Sequence, residues 1–284
     1  MKDAIVGLGE ILWDVFPQGK VLGGAPANFA YHASQMGMNG YAVSAIGKDE
    51  LGAEIKQLLQ AKKLKTLIAE VDFPTGTVQV SLSGKGIPKY EICENVAWDN
   101  IPFTEELKRL AEQTKAVCFG SLAQRNEASR TTINAFLDAV PEDAMKIFDI
   151  NLRQSFYSRE LIGASLSQCS MLKINEDEII ILADMFGLSN QSELSIAKHL
   201  LQGFQLKMVV LTKGAAGSYI ITDAESSFLP TPAVEVADTV GAGDSFTAAL
   251  LVSLLEGKSI PEAHKKAVDV SAFVCTQHGA MPEY

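Results

Sequence analysis

Cysteine and histidine are scarce in this chain, with four of each among 284 residues. The cysteines are far apart and form no CxxC pair, which excludes a disulfide-stabilised scaffold and favours reduced thiols. The histidines show no spacing typical of metal ligands, which argues against a zinc site.

Long apolar runs and basic stretches are also missing. No segment is apolar over the length needed to cross a bilayer, and residues 1–7 lack the layout of a signal peptide. We therefore expect a cytoplasmic protein with no membrane partner. The net charge of −10, without a basic cluster, argues against a nucleic-acid partner.

Two common nucleotide-binding loops are absent. The Gly-Lys pairs at positions 47–48 and 84–85 lack the other residues of a GxxxxGK[ST] loop. After the first predicted strand, Gly7 and Gly9 form a GxG, but Leu12 stands where a dinucleotide-binding GxGxxG has its third glycine. A dinucleotide enzyme therefore stays only an alternative interpretation.

Length and periodicity indicate one α/β domain over residues 1–284. Apolar, strand-like runs occur at residues 4–8, 41–46, 116–119, 146–150, 171–174 and 208–211. They alternate with helix-like segments at residues 53–61, 105–112, 131–139, 193–201 and 245–255. This alternation predicts a doubly wound, mostly parallel sheet with helices on both faces. Small and polar residues follow these strands, at the edge where such a sheet holds its ligands.

Residues 11–22 and 77–98 do not fit this alternation of strands and helices. Residues 77–83 alternate between polar and apolar side chains, and Gly84-Lys85-Gly86 predicts a turn between two strands. We expect a small antiparallel sheet outside the main one, and an edge hairpin of the main sheet is the alternative.

The most informative segment is D-T-V-G-A-G-D-S-F at residues 238–246. Glycines let backbone N–H groups turn toward a ligand, and the helix that follows points its positive end at the same place. Gly241, Ala242 and Gly243 are therefore expected to form an anion hole. Asp244 would be a general base that takes a proton from an attacking hydroxyl while the amides hold a migrating phosphoryl group.

This segment resembles the C-terminal signature of the ribokinase-like (PfkB) carbohydrate kinases. The G-G-A-P-A-N at residues 23–28 resembles the family's N-terminal signature, and the D-I-N-L-R at residues 149–153 resembles its fructokinase branch. The resemblance runs from residue 7 to residue 280 in the family's order. It implies a ribokinase-like fold in which residues 11–22 and 77–98 form a β-sheet lid over a sugar.

The resemblance also implies which residues bind the substrates. Asp14, Gly24 and Asn28 would hold the sugar, and Arg153 would clamp sugar or phosphate. The T-K-G-A-A-G at residues 212–217 resembles the family's nucleotide loop. The residues that would flank ATP are Thr212, Gly214 and Gly217.

Metal sites are implied in the same way. Asn175 and Glu178 match the family's N-x-x-E element and would organise Mg²⁺ through waters, although an acidic helix start gives the same pattern. Asp238 and Val240, with the backbone of residues 279–280, would match a K⁺ site.

The sequence therefore predicts an ATP-dependent kinase of a free sugar, with D-fructose phosphorylated on a primary hydroxyl. A ribokinase, a nucleoside kinase and a 2-keto-3-deoxygluconate kinase are alternatives within the fold, and a non-catalytic sugar-binding protein is one outside it. The resemblance also leads us to expect a homodimer formed through the lid.

Overall fold

The computed structural model of the protein describes residues 3–82 and 88–284. Within this part of the chain a large sheet contains, in sequence order, β1 (Ala4–Leu8), β4 (Asn39–Gly47), β5 (Lys65–Val71), β8 (Thr114–Phe119), β9 (Met145–Asp149), β10 (Met171–Asn175), β11 (Met208–Thr212), β12 (Ser218–Ile221) and β13 (Ser226–Leu229). Their spatial order is β13-β12-β11-β10-β9-β8-β1-β4-β5. Neighbouring strands pair in parallel from β5 to β11, and β12 and β13 add antiparallel pairs at one edge.

Helices cover both faces of this sheet. They are α1 (Ala25–Gln35), α2 (Glu50–Ala61), α3 (Glu105–Ala111), α4 (Glu127–Ala139), α5 (Arg159–Gln168), α6 (Glu176–Phe186), α7 (Glu193–Gly203), α8 (Ala242–Leu255) and α9 (Ile260–Cys275). Consecutive strand residues point to opposite faces, so Val6 packs into the core with α3 to α7 and Ile5 into the core with α1, α8 and α9. Apolar side chains on both faces explain why these strands read as continuous apolar runs.

A second, smaller sheet lies outside this layer. Its strands are β2 (Leu12–Phe16), β3 (Gly19–Gly23), β6 (Gly76–Leu82) and β7 (Pro88–Ile92), in the order β3-β2-β6-β7. The expectation of an antiparallel sheet is wrong for its central pair, because β2 and β6 run in parallel. The chain between them passes through the large sheet, so no hairpin joins them. The turn predicted at Gly84-Lys85-Gly86 lies outside the described residues.

The end of the predicted segment 77–98 does not extend the small sheet. The chain leaves β7 at Ile92, and Val96 and Trp98 are buried in the main core. Trp98 is fully buried and lies in a 3₁₀ turn over Ala97–Asn100. These two side chains therefore anchor the small sheet to the large one.

Candidate active site

The carboxyl ends of the parallel strands collect polar side chains at one edge of the sheet. Glu10 follows β1, Asp149 ends β9, and Lys173 lies near the end of β10. Helix α8 begins beside them, since a Cβ built on Gly243 would lie 3.1 Å from the Lys173 Nζ. This edge is where an open α/β sheet presents its ligand site.

The start of α8 can hold an anion. Gly241 is the residue before the helix, with φ at 80°, and no side chain caps the helix start. A Cβ at Gly241 would lie 2.8 Å from the Ala280 Cα, so only glycine fits this conformation and this space. The Ala242 N–H donates to the Thr239 carbonyl at 3.3 Å, so the remaining N–H groups of the first turn and the positive end of the helix dipole are the candidate groups for holding an anion.

Asp244 lies in the first turn of α8 and is half-buried. Its Oδ2 accepts a hydrogen bond of 2.8 Å from the Asn28 Nδ2, so two of the predicted site residues meet directly. Burial and the negative charge of Asp149 raise the pKa of Asp244 to about 6, and Asn28 opposes the shift. The carboxylate is ionised at neutral pH and is a better proton acceptor than an ordinary aspartate.

Lys173 is a buried cation that the sequence analysis did not single out. Its Nζ donates to the Asp149 Oδ1 at 3.0 Å. Burial alone would lower the pKa of Lys173, but Asp149, Glu178 and Asp244 outweigh burial and raise it. A permanent positive charge therefore lies under the start of α8. The signal for it was a lysine inside an otherwise apolar strand, where an uncompensated charge is costly.

Glu10 is the second functional candidate that sequence reasoning missed. Its side chain is 4 % exposed, and its Oε2 has no hydrogen-bond partner within the described residues. Burial raises the pKa of Glu10 to about 7, Arg153 lowers it, and Asp244 raises it further. The Oδ1 of buried Asn28 likewise has no described partner. A ligand that brings hydroxyl groups could satisfy both buried acceptors.

The other residues predicted to hold a sugar lie before α1, on β2 and after β9. Gly24 precedes α1 with φ at 126°, and a Cβ there would lie 2.5 Å from the Glu10 carbonyl oxygen. Asp14 lies on β2, and burial raises the pKa of its carboxyl while Arg153 opposes the shift. Arg153 is exposed, and its Nη1 donates to the Leu152 carbonyl at 3.0 Å. Charge coupling thus links Arg153 to three carboxylates at this end of the site.

The predicted nucleotide residues form a separate turn. Thr212 ends β11, and Gly214 and Gly217 adopt positive φ angles of 47° and 122°. A Cβ at Gly217 would lie 2.4 Å from the Leu229 carbonyl oxygen, so this turn requires glycine. The Gly214 carbonyl accepts a hydrogen bond from the Thr231 hydroxyl at 2.6 Å.

Asn175 and Glu178 form a capping box at the start of α6. The Asn175 Oδ1 accepts from two backbone N–H groups, and the Glu178 Oε2 accepts from the Asn175 N–H at 2.9 Å. The Glu178 Oε1 accepts from the Leu152 N–H, also at 2.9 Å. Each carboxylate oxygen has a second lone pair, so Glu178 can still accept a hydrogen bond from a water bound to Mg²⁺.

Asp238 holds together the two segments expected to bind K⁺. Its Oδ1 accepts from the Val240 N–H at 3.0 Å, and its Oδ2 accepts from the Gly279 N–H at 3.1 Å. Val240 is 45 % exposed, so its contribution would come from the backbone carbonyl.

Two negative findings apply to residues 3–82 and 88–284. No cluster of three or more His, Cys, Asp or Glu side chains there is arranged to hold a metal ion. No helix in this part of the chain has the length and apolar character needed to cross a membrane.

The chain is similar to named proteins along nearly its whole length. The family model described as pfkB family carbohydrate kinase matches residues 9–283. An ATP-dependent 6-phosphofructokinase of Thermoanaerobacterium thermosaccharolyticum is 30% identical over 269 residues, which are 92% of this chain and 81% of that protein. A fructokinase of Salmonella typhimurium is 28% identical over 261 residues, which are 87% of this chain and 83% of that protein.

A solved structure shares the fold and carries ligands. The crystal structure of fructokinase from Vibrio cholerae O395, in fructose, ADP and calcium ion bound form, has a TM-score of 0.81 with 25% sequence identity. The match covers 100% of this chain and 96% of that one.

Proposed function

The chain belongs to the pfkB family of carbohydrate kinases, and on that premise we propose that this sugar kinase is a fructokinase. The ribokinase-like fold expected from the resemblance is confirmed. The proposed reaction transfers the γ-phosphoryl group of MgATP to a primary hydroxyl of free D-fructose, giving a fructose phosphate and ADP. The observation that carries this proposal is the pairing of Asp244 with Asn28 at the open start of α8.

In the proposed mechanism Asp244 is the general base. A sugar hydroxyl donates its proton to the Asp244 carboxylate, and the hydroxyl oxygen forms a bond to the γ-phosphorus. The bond between the γ-phosphorus and the bridging oxygen breaks, and ADP leaves with that electron pair. The pKa of Asp244 is raised to about 6, which makes the carboxylate a stronger base and still leaves it mostly ionised at neutral pH.

The charges around Asp244 suit a migrating phosphoryl group. The N–H groups of residues 241–244 and the positive end of α8 would hold the phosphoryl oxygens. The Lys173 Nζ lies directly below Gly243 and adds a fixed positive charge. Preorganised donors and charges of this kind stabilise the transition state without reorganising during the reaction.

We propose that Asp14, Gly24, Asn28 and Arg153 line the sugar pocket, together with Glu10. Two carboxyl groups and a free amide oxygen offer acceptors to the hydroxyls of a neutral polyol. A sugar analogue that lacks a hydroxyl would leave one of these buried groups unpaired, which disfavours its binding.

Fructose 6-phosphate is the second candidate acceptor. The 30% identical relative is named for phosphorylating it, and the exposed guanidinium of Arg153 is suited to a phosphate. Arg153 already faces the charges of Glu10, Asp14 and Asp244. These carboxylates disfavour a dianionic substrate, so we place the free sugar first.

At the other end of the site, we propose that Thr212, Gly214 and Gly217 flank ATP. Asn175 and Glu178 would hold Mg²⁺ through waters, and the ion would supply charge neutralisation at the phosphates when bound. Asp238 and the Val240 carbonyl would bind K⁺.

We further propose that the small sheet is a lid over the sugar and a contact surface between two copies. A lid would exclude water, which competes with the sugar as phosphoryl acceptor. Phe16 and Val21 on β2 and β3 are 36% and 44% exposed, and β3 is an edge strand that pairs only with β2 within the described sheet. Exposed apolar side chains on a free edge favour association with a second sheet.

The substrate assignment is tested by measuring kcat/KM with MgATP under one set of conditions. The acceptors to compare are D-fructose, D-ribose, adenosine, 2-keto-3-deoxygluconate and fructose 6-phosphate. We expect D-fructose to be the best. A tenfold preference for another acceptor, about 1.4 kcal/mol in transition-state binding, would reject the fructokinase assignment and leave the kinase assignment intact.

A further inference from the structure

Residues 280–284 form a strap that runs back across α1 after α9 has ended. The Pro282 carbonyl accepts from the Tyr31 hydroxyl at 2.9 Å, and the Met281 carbonyl accepts from the Lys62 Nζ at 2.7 Å. The Met281 side chain is 8 % exposed and packs in the core cluster that contains Tyr31. Several independent contacts therefore hold the strap against the body of the protein.

His32 on α1 is fully buried and contacts the strap at two points. Its Nε2 is 2.9 Å from the Ala280 carbonyl oxygen, and its Nδ1 is 2.5 Å from the Tyr284 hydroxyl. A carbonyl oxygen can only accept, so Nε2 carries the hydrogen. In the neutral ring, Nδ1 then accepts from the Tyr284 hydroxyl. The imidazole thus joins two points of the strap in a fixed orientation.

The strap contacts the start of α8 through Ala280. A Cβ built on Gly241 would lie 2.8 Å from both the Cα and the carbonyl oxygen of Ala280. The backbones of the two residues are therefore in direct contact. Next to them, the Gly279 N–H is bonded to Asp238, which also holds the Val240 N–H. The strap therefore limits where residues 238–241 can lie.

We propose that His32 is a positioning residue for phosphoryl transfer: it fixes the Ala280 carbonyl, and Ala280 in turn fixes Gly241 and the first amides of α8. The inference rests on the proposed role of residues 241–244 as the anion hole. In this role His32 acts through the backbone contact between Ala280 and Gly241 and does not itself bind a substrate.

Loss of His32 should displace the first amides of α8, and the expected kinetic effect follows from what these amides do. Amides that hold the migrating phosphoryl group interact most strongly in the transition state, so their displacement lowers kcat with little change in KM. A misplacement of about 1 Å can cost about 10²-fold in rate. Replacing His32 should therefore lower kcat by tenfold or more.

The test compares substitutions at His32 with a matched substitution elsewhere. His32→Phe keeps an aromatic ring and removes both hydrogen bonds, whereas His32→Gln retains a donor for the Ala280 carbonyl. The control is Thr132→Val on α4, which packs on the other face of the sheet. The buried Thr132 hydroxyl donates to the Ile101 carbonyl at 2.6 Å, so this change also removes one buried hydrogen bond to a carbonyl.

We expect His32→Phe to lower kcat at least tenfold, with the KM values of sugar and ATP within about twofold of wild type. His32→Gln should recover much of the loss, and Thr132→Val should lower Tm without lowering kcat. Equal kcat values for His32→Phe and Thr132→Val would overturn the proposal, and so would a His32→Gln variant as slow as His32→Phe.

Two further measurements keep the test decisive. Tyr284→Phe removes one hydroxyl from a residue that is 47% exposed and should fold even where His32→Phe does not. We expect it to lower kcat a few-fold, and an unchanged kcat would count against the positioning role of His32. Asp244→Asn is assayed in parallel, because full activity of that variant would overturn the anion-hole assignment itself and not the role of His32 alone.

Discussion

Replacing Asp244 by Asn separates two effects of one carboxylate, its proposed role as a base and its cost to stability. The substitution is nearly isosteric and leaves an oxygen that can still accept from the Asn28 Nδ2, now 2.8 Å from the Asp244 Oδ2. The amide cannot take a proton from a sugar hydroxyl. Loss of a general base typically lowers the rate by ~10²–10⁴, and we expect kcat of Asp244→Asn to fall within that range.

The same substitution should raise thermal stability above pH 6. The pKa of Asp244 is raised from 3.8 to about 6 in the folded protein, first by burial and then by Asp149. A carboxyl whose pKa is raised on folding destabilises the fold when it is ionised, so the cost develops between pH 4 and 6 and is complete above that range. A shift of about two units corresponds to an upper bound of about 3 kcal/mol. The variant should therefore have a higher Tm than wild type at pH 7.5 and an equal Tm below pH 3.8.

The assay follows ADP release between pH 5 and 8 for both proteins. In wild type, kcat/KM should fall about tenfold per pH unit below pH 6, as the base becomes protonated. In Asp244→Asn this acid limb should disappear. A variant with wild-type turnover, or one that keeps the acid limb, would refute the assignment of Asp244 as base.

Three further predictions concern the surroundings of this residue. Glu10→Gln should raise Tm at pH 8 and not at pH 4, because the pKa of Glu10 is raised from 4.5 to about 7 and its ionised form destabilises the fold above that range. Thermal scans of the variant and wild type at the two pH values test this, and equal shifts in Tm at both would contradict it. Gly24→Ala should raise the KM of the sugar tenfold or more and leave the KM of ATP unchanged, because the added Cβ would lie 2.5 Å from the Glu10 carbonyl at a φ of 126°. A parallel rise in both KM values would show a general loss of structure and contradict this prediction. Potassium should stimulate turnover relative to tetramethylammonium by ordering the loop between Asp238 and Gly279, and equal rates in the two salts would count against the cation site.

Local sequence predicted the elements whose signal lies in one segment. The start of α8 was expected from glycines followed by an apolar run, and the structure places Gly241 there at a positive φ. The buried parallel strands were expected because both of their faces are apolar. The edge strands β12 and β13 were not, since β13 alternates exposed and half-buried residues and gives no continuous apolar signal.

Other features depended on contacts between distant segments. Glu10 reads as an ordinary acid after a strand, and only its burial and its proximity to Asp244 single it out. Lys173 and Asp149 are 24 residues apart and meet because β9 and β10 are neighbours. The parallel pairing of β2 with β6 likewise depends on the order of strands in space. Periodicity along the chain does not contain this information.

The most direct test of the central claim is to identify the product. Purified protein is incubated with MgATP and D-fructose, and the product is analysed by two-dimensional ¹H–³¹P NMR, with Asp244→Asn prepared in parallel as the control. The account predicts a phosphomonoester on a primary carbon of fructose, formed together with an equal amount of ADP and formed at a rate lower by ~10²–10⁴ by the variant. ADP formed without a sugar phosphate, or the same product at the same rate from both preparations, would contradict it.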